Sequence, residues 1–254
     1  MDIFKTVRFG HRSALNTARF FCILYFMASF SLSAQSEIED TFGSWLVISG
    51  NNKIAEKWSI PTESVIRYYD GFYKTEFLFF RSGITYVPNS KYNFSLGAAY
   101  LDTQPFDHTE FETLTTQFWL YEEFCLNSKI NKLKISQRLR LENRWISTYD
   151  DHIFTNRLRY RLQFKHPVTD NLYLKMFNEP FFDFDNAHIN QNRFFMGVGR
   201  ELLSGLHIEI GYMKNHIGKN NYDRVRMAIL FKTDLTKRPK KKDYANTSIL
   251  PISQ

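Results

Sequence analysis

The chain has 254 residues, with 25 Phe, 14 Tyr and 4 Trp beside 23% charged residues. That mixture excludes a bundle of membrane-spanning helices, which is poor in charge, and a disordered chain, which is poor in aromatics; it suits one large sheet with an apolar and a polar face. The formal net charge of +7 comes from residues 1–34 (+3) and 237–243 (+4), so the stretch between is neutral and no basic folded face predicts nucleic acid as a partner.

The first 19 residues are basic and irregular, and Phe20 to Leu32 form an apolar run of 13. This length fits the core of a secretory signal peptide and falls short of the roughly 20 residues that span a bilayer as a helix. Ser33-Ala34-Gln35 supplies the small residues of a cleavage site, so 1–34 is predicted to be a signal peptide cut after Ala34. Cys22 lies within it, which leaves Cys125 as the mature chain's lone cysteine and allows no intramolecular disulfide. No later stretch is apolar enough for a membrane helix. Export without helices leaves a periplasmic protein, a secreted one or an outer-membrane barrel.

From residue 42 onward the recurring signal is period-two alternation, the mark of a strand with two different faces. Runs fall at about 42–50, 57–69, 75–87, 91–101, 112–127, 132–146, 154–165, 171–181, 191–203, 206–217 and 222–233. The clearest are 132–146, where Leu133, Ile135, Leu139, Leu141 and Trp145 alternate with Lys134, Arg138, Arg140, Glu142 and Arg144, and 154–165, where Phe154, Leu158, Tyr160, Leu162 and Phe164 alternate with Arg157, Arg159 and Arg161. A helix would scatter these arginines around its circumference; a strand puts them on one side. Short connections such as 88–90, 167–171 and 204–205 alternate with longer polar ones at 102–111, 147–153 and 182–190.

The predicted fold is therefore all-β: an antiparallel up-and-down transmembrane β-barrel of about 10–12 strands, with short periplasmic turns and longer outer loops. It occupies residues 35–234, with a basic C-terminal tail at 235–254. Ten runs close evenly, so the run at 42–50 either pairs with a further strand near 36–41 or lies at the seam. Tyrosines and tryptophans near run ends, among them Trp45, Trp58, Trp119, Tyr121 and Trp145, are expected in the aromatic girdles of the two membrane interfaces.

Several segments look familiar together: Phe42-Gly43-Ser44-Trp45, Arg81-Ser82-Gly83-Ile84-Thr85-Tyr86, Arg138 to Arg144, Asn156 to Arg161, Asn178-Glu179, Asn190-Gln191-Asn192-Arg193 and Gly211-Tyr212. With them the chain resembles, over about 40–233, the domain-of-unknown-function family 2490, a group of Gram-negative outer-membrane barrel proteins. The resemblance implies fold and location and carries no activity.

The candidate site is the interior. Arg138, Arg140, Glu142, Arg144, Arg157, Arg159, Arg161, Glu179, Arg193, Arg224 and Arg226 are expected to face the lumen. Unpaired arginines repel one another in a narrow barrel. They therefore form either an Arg–Glu plug that braces the barrel or a cationic lining that selects anionic solutes. No catalytic residue, metal ligand or cofactor is assigned. The expected partners are outer-membrane lipid, the barrel-assembly machinery during insertion and a small polar solute.

Two other classes stay open. One is an outer-membrane lipid hydrolase, which needs a Ser–His pair with a carboxylate or amide to orient it; the histidines available are His108, His152, His166, His188, His207 and His216. The acidic stretches Asp150-Asp151-His152 and Asp183 to His188 are better read as solvated loops than as cation sites. The other class is a soluble periplasmic lipocalin-like protein, whose barrel is apolar inside and polar outside. Parity alone does not say which face points inward.

Overall fold

The computed structural model describes residues 42–104 and 114–237. Residues 1–41, with the predicted signal peptide and the alternative strand near 36–41, residues 105–113 and residues 238–254 lie outside the described residues. Eleven strands follow one another: β1 (Gly43–Ala55), β2 (Trp58–Asp70), β3 (Tyr73–Tyr86), β4 (Tyr92–Thr103), β5 (Thr115–Ile130), β6 (Leu133–Ser147), β7 (His152–Pro167), β8 (Leu172–Asp183), β9 (His188–Leu203), β10 (Leu206–Ile217) and β11 (Asn220–Asp234). Each pairs with its neighbours in sequence, and β1 meets β11 to close a barrel.

The even, wholly antiparallel closure expected from the sequence is corrected at one place. The run at 42–50 is the start of β1, it lies at the seam, and it runs parallel to β11, with Trp45 opposite Arg226 and Ile48 opposite Ile229. An odd number of alternating strands leaves no other choice: the first and last must point the same way. Gly43 and Asp234 consequently lie at opposite ends of the barrel. The end holding Gly43 also carries the connections 71–72, 104–114, 148–151, 184–187 and 218–219; the other end carries 56–57, 87–91, 131–132, 168–171 and 204–205. The longest connection is at the expected end. Two others there shrink to four residues because β7, β8 and β9 extend into segments that read as loop.

Tight turns use residues that tolerate left-handed backbone: Gly205 (φ 82°) between β9 and β10, and Gly218 (φ 58°) between β10 and β11. Two internal prolines interrupt a ladder. Pro180 in β8 lacks an N–H, and the β7–β8 pairing skips from Arg159–Phe181 to Leu162–Asn178 around it.

Alternation decides the two surfaces. Leu96, Met196, Phe80 and Ile48 face outward and are 52–59% exposed, whereas Glu142, Glu179, Phe181 and Phe195 face inward at 0%. The exterior is an apolar belt. Trp58 packs against Tyr86 at its one end, with ring centroids 4.9 Å apart, and Trp145 packs between Phe118 and Phe154 at the other, at 5.9 and 5.1 Å. Trp45, Trp119 and Tyr121, expected in those girdles, instead face the lumen and are buried. In β5 the reason is parity: Trp119 and Tyr121 share a face with Glu123, and the charge goes inward.

Candidate functional site: an arginine–carboxylate ring in the lumen

The central lumen is built from β5 to β8, whose registers bring charged side chains of adjacent strands level. Arg140 lies opposite Glu123 on one side and Arg159 on the other, and Glu142 lies opposite Arg157. From this placement the side chains form a closed alternating cycle of three carboxylates and three guanidiniums. Glu123 pairs with Arg140; Arg140 reaches Glu142 at 3.7 Å; Glu142 accepts from Arg159 at 2.7 Å; Arg159 donates to Glu179 at 3.0 Å; Glu179 pairs with Arg138, which closes on Glu123 at 3.6 Å.

Each carboxylate holds a further arginine outside the cycle. Arg157 donates to Glu142 through Nε and Nη2 at 2.8 and 2.6 Å, Arg161 donates to Glu179 at 2.7 Å, and Arg81 stands 4.0 Å from Glu123 while donating to Glu63 at 3.0 Å. The break in the β7–β8 ladder at Pro180 adjoins Glu179, the carboxylate that serves three of these arginines. Buried ions of this kind are tolerable only when hydrogen-bonded, and bidentate Arg–carboxylate forks are the strongest form of such pairing.

The remaining sequence-predicted residues fall around this ring. Arg144 stands 4.0 Å from Asp183, Arg226 donates to Glu209 at 3.2 Å, and Arg224 is buried 3.9 Å from Glu76. Arg193 takes no carboxylate within an ion-pair distance among the described residues. It donates to Asn215 at 3.3 Å and lies over the rings of Trp45 and Phe181 at 4.8 and 4.6 Å. All eleven predicted residues thus line or adjoin one interior.

Sequence reasoning missed Arg67, which pairs with Glu76 at 2.5 Å, and Lys175, which pairs with Glu209 at 2.8 Å. Both sit in runs whose alternation is diluted: Arg67 is followed by two tyrosines, and Lys175 sits between Leu174 and Met176 in a strand rich in aromatics. Parity with Val65 and Glu63, or with Glu179, was the available signal.

Above the ring, toward the end that holds Gly43, lies a cavity of about 210 Å³. Nine arginines and a single acidic residue, Glu63, line it together with Trp45, Phe77, Trp119 and other apolar side chains. Guanidiniums and rings interleave in this lining: Arg67 lies over Phe77 at 3.6 Å and Arg157 over Trp119 at 5.2 Å.

Other candidate chemistry is sparse. Cys125 Sγ sits 3.6 Å from Glu123 Oε1 as a half-buried lumen residue. Ser147 Oγ and His152 Nδ1 are 3.0 Å apart on the outward face at the tip of the β6–β7 hairpin, and the Asp151 carboxylate accepts from the His152 backbone N–H at 2.7 Å rather than from the ring. His108 lies outside the described residues. Asp183 accepts from the backbone N–H groups of Asp185 and Asn186 and from the Asn190 amide, so it serves its own loop. Among the described residues no three acidic, His or Cys side chains converge as a metal site.

No curated protein matches the chain. A family model described as "Protein of unknown function (DUF2490)" matches residues 42–226, from the residue before β1 into β11, so it takes in the whole ring and both strands of the seam. The chain belongs to the DUF2490 family.

Proposed function

We propose that the protein is a bacterial outer-membrane β-barrel, exported behind its signal peptide, whose cationic lumen binds or passes small anionic solutes. The carrying observation is the lining of the cavity: nine arginines face Glu63 and the six carboxylates that pair with eight of them, Glu76, Glu123, Glu142, Glu179, Asp183 and Glu209. Such an excess attracts anions and disfavours cations. Support for the location comes from polarity. The outward face is a largely apolar belt, interrupted by Glu122 and Asn143, with aromatic pairs near both ends, and the inward face holds the buried charges beside two apolar clusters. A lipocalin-like barrel in water has the opposite arrangement, and an apolar surface of this extent is unfavourable in water. The ring of Glu123, Glu142 and Glu179 with their arginines crosses the middle of the lumen and narrows it, so binding and slow passage fit better than a wide pore.

The experiment is fractionation of expressing cells, heat-modifiable gel mobility of the recovered band, then planar-bilayer conductance under a salt gradient. Recovery in the outer membrane, a band that shifts on boiling and a reversal potential of anion selectivity are expected. A soluble periplasmic protein, or a cation-selective conductance, would sink the reading.

A second reading, an outer-membrane lipid hydrolase, has one observation on its side: the Ser147–His152 contact of 3.0 Å on the outward face. Turnover of a phospholipid ester that disappears in Ser147→Ala would favour it.

A further inference from the structure

We propose that the lumen cavity takes an organic anion with a flat apolar body, of the class of a single-ring carboxylate. This deepens the proposed function and rests on it. The first observation is a set of orphaned donors. Trp45 Nε1 and the Nε atoms of Arg67, Arg144 and Arg161 are buried and have no hydrogen-bond partner, whereas Arg138 Nε already faces Glu123 at 3.6 Å. All four residues with orphaned donors line the cavity. Each of these atoms is an N–H, so each asks for an acceptor. Buried donors in folded proteins are nearly always satisfied. The orphaned acceptors Glu76 Oε2 and Asn192 Oδ1 belong to residues that do not line the cavity.

The second observation is independent of charge. Val47, Val65, Phe77, Leu101 and Trp119 form one buried apolar cluster on β1 to β5; Arg67 lies over the Phe77 ring at 3.6 Å and Arg157 over the Trp119 ring at 5.2 Å, and Val47, Val65 and Leu101 line the cavity beside them. An inorganic anion would satisfy the donors and leave this wall against water. A neutral hydrocarbon would cover the wall and leave the donors orphaned. A carboxylate carried on a ring answers both, because a guanidinium fork matches a carboxylate's two oxygens and the ring lies against the side chains of Val47, Val65 and Leu101. Size sets the scale. The cavity is about 210 Å³, and a cavity of about 150 Å³ accepts benzene, so one ring with one carboxylate fills it.

The test uses the mature chain refolded in detergent micelles, carrying Trp58→Phe and Trp145→Phe. Both replaced residues face outward, which leaves Trp45 and Trp119, the two that line the cavity, as fluorescent reporters. The probes are benzoate, its neutral isostere benzamide, chloride and phosphate. A saturable fluorescence change is expected with benzoate, at roughly tenfold or more lower concentration than with benzamide or either inorganic ion. Arg144→Gln is expected to weaken benzoate about tenfold while the heat-induced gel shift is kept. An equal response to chloride or phosphate would overturn the organic ligand and leave an inorganic anion site. No response to any anion by a barrel that still shifts on boiling would overturn the inference outright. Bilayer conductance then judges the broader reading separately: anion selectivity without benzoate binding keeps it, and loss of both removes it.

Discussion

Glu122 and Glu123 are consecutive in β5 and do opposite things. Glu123 faces the lumen, where it pairs with Arg140 and stands 3.6 Å from Arg138. Glu122 is exposed on the outward belt, level with Leu96 and Leu141, and its one polar contact there is Asn143 Nδ2 at 3.4 Å. The two should respond to the same substitution with opposite sign. Glu123→Leu leaves buried arginines uncompensated and is expected to cost about 3–5 kcal/mol. On the proposed membrane location, Glu122→Leu takes a charge off the lipid-facing belt and is expected to stabilise by about 1–2 kcal/mol, less than the cost known for basic residues at mid-depth. Urea titration of the barrel folded in lipid vesicles measures both. A destabilising Glu122→Leu would mean that its carboxylate meets a polar partner rather than lipid.

Tyr173 on β8 lies directly opposite Gly199 on β9, and its ring covers the glycine so closely that a Cβ there would fall inside it. An aromatic laid over a cross-strand glycine is a device that strongly curved sheets use. The Tyr173 hydroxyl then reaches on to donate to Glu209 at 3.0 Å. Gly199→Ala should cost about 1–3 kcal/mol through overpacking. In a Tyr173→Ser background the same step should cost under about 0.5 kcal/mol, because the three atoms nearest the new methyl all belong to Tyr173. Equal costs in the two backgrounds would show that the glycine is required by the backbone instead.

The legibility of this fold in its sequence varied with how cleanly each strand separates its faces. β6 and β7 alternate leucine and aromatic residues with arginine, broken on the apolar face by Gln137, Asn143 and Asn156, so four members of the ring, Arg138, Arg140, Glu142 and Arg159, could be read directly. β2 was harder, since Arg67 is followed by Tyr68 and Tyr69, and the ladder to β3 shifts register between Arg67 and Tyr68. Aromatic residues misled in a different way: Trp45 and Trp119 resemble interface residues by type, yet each shares parity with lumen-facing neighbours. The carboxylate partnerships were not legible at all. They depend on cross-strand register, and the local pattern of one strand carries no information about the level of the next. The seam was legible only as one of two alternatives for the run at 42–50, because alternation states that a segment is a strand but not which strand it meets.

The seam yields a direct prediction. Ile48 and Ile229 are register partners across β1 and β11 and both face outward. Ile48→Cys with Ile229→Cys, in a Cys125→Ser background, should form a disulfide on oxidation and a faster-migrating band on a non-reducing gel, since directly opposed strand residues fall within bridging distance. Displacing one partner by a residue, as in Ile48→Cys with Leu230→Cys, puts the second thiol on the lumen side and should not cross-link. A ten-stranded closure between β2 and β11 would abolish the first bridge as well.

The ring itself predicts an asymmetry between removing one charge and removing a matched pair. Glu142 is wholly buried and accepts from Arg157 and Arg159 while Arg140 stands 3.7 Å away. Glu142→Gln keeps the shape and deletes the charge, leaving three guanidiniums around a neutral amide, and should cost about 3–5 kcal/mol in the lipid-vesicle unfolding assay. Replacing Glu142 and Arg157 together by Leu and Met removes a charge pair in contact at 2.6 Å. That double change should cost less than Glu142→Gln alone, because buried ion pairs contribute little net stability once their desolvation is counted. Arg159 retains Glu179 in both variants, so the difference reports on the Arg157 charge together with the exchange of Gln for Leu at 142. If the double variant is the less stable, the ring earns its place as a strut and the bracing role outweighs the cationic one.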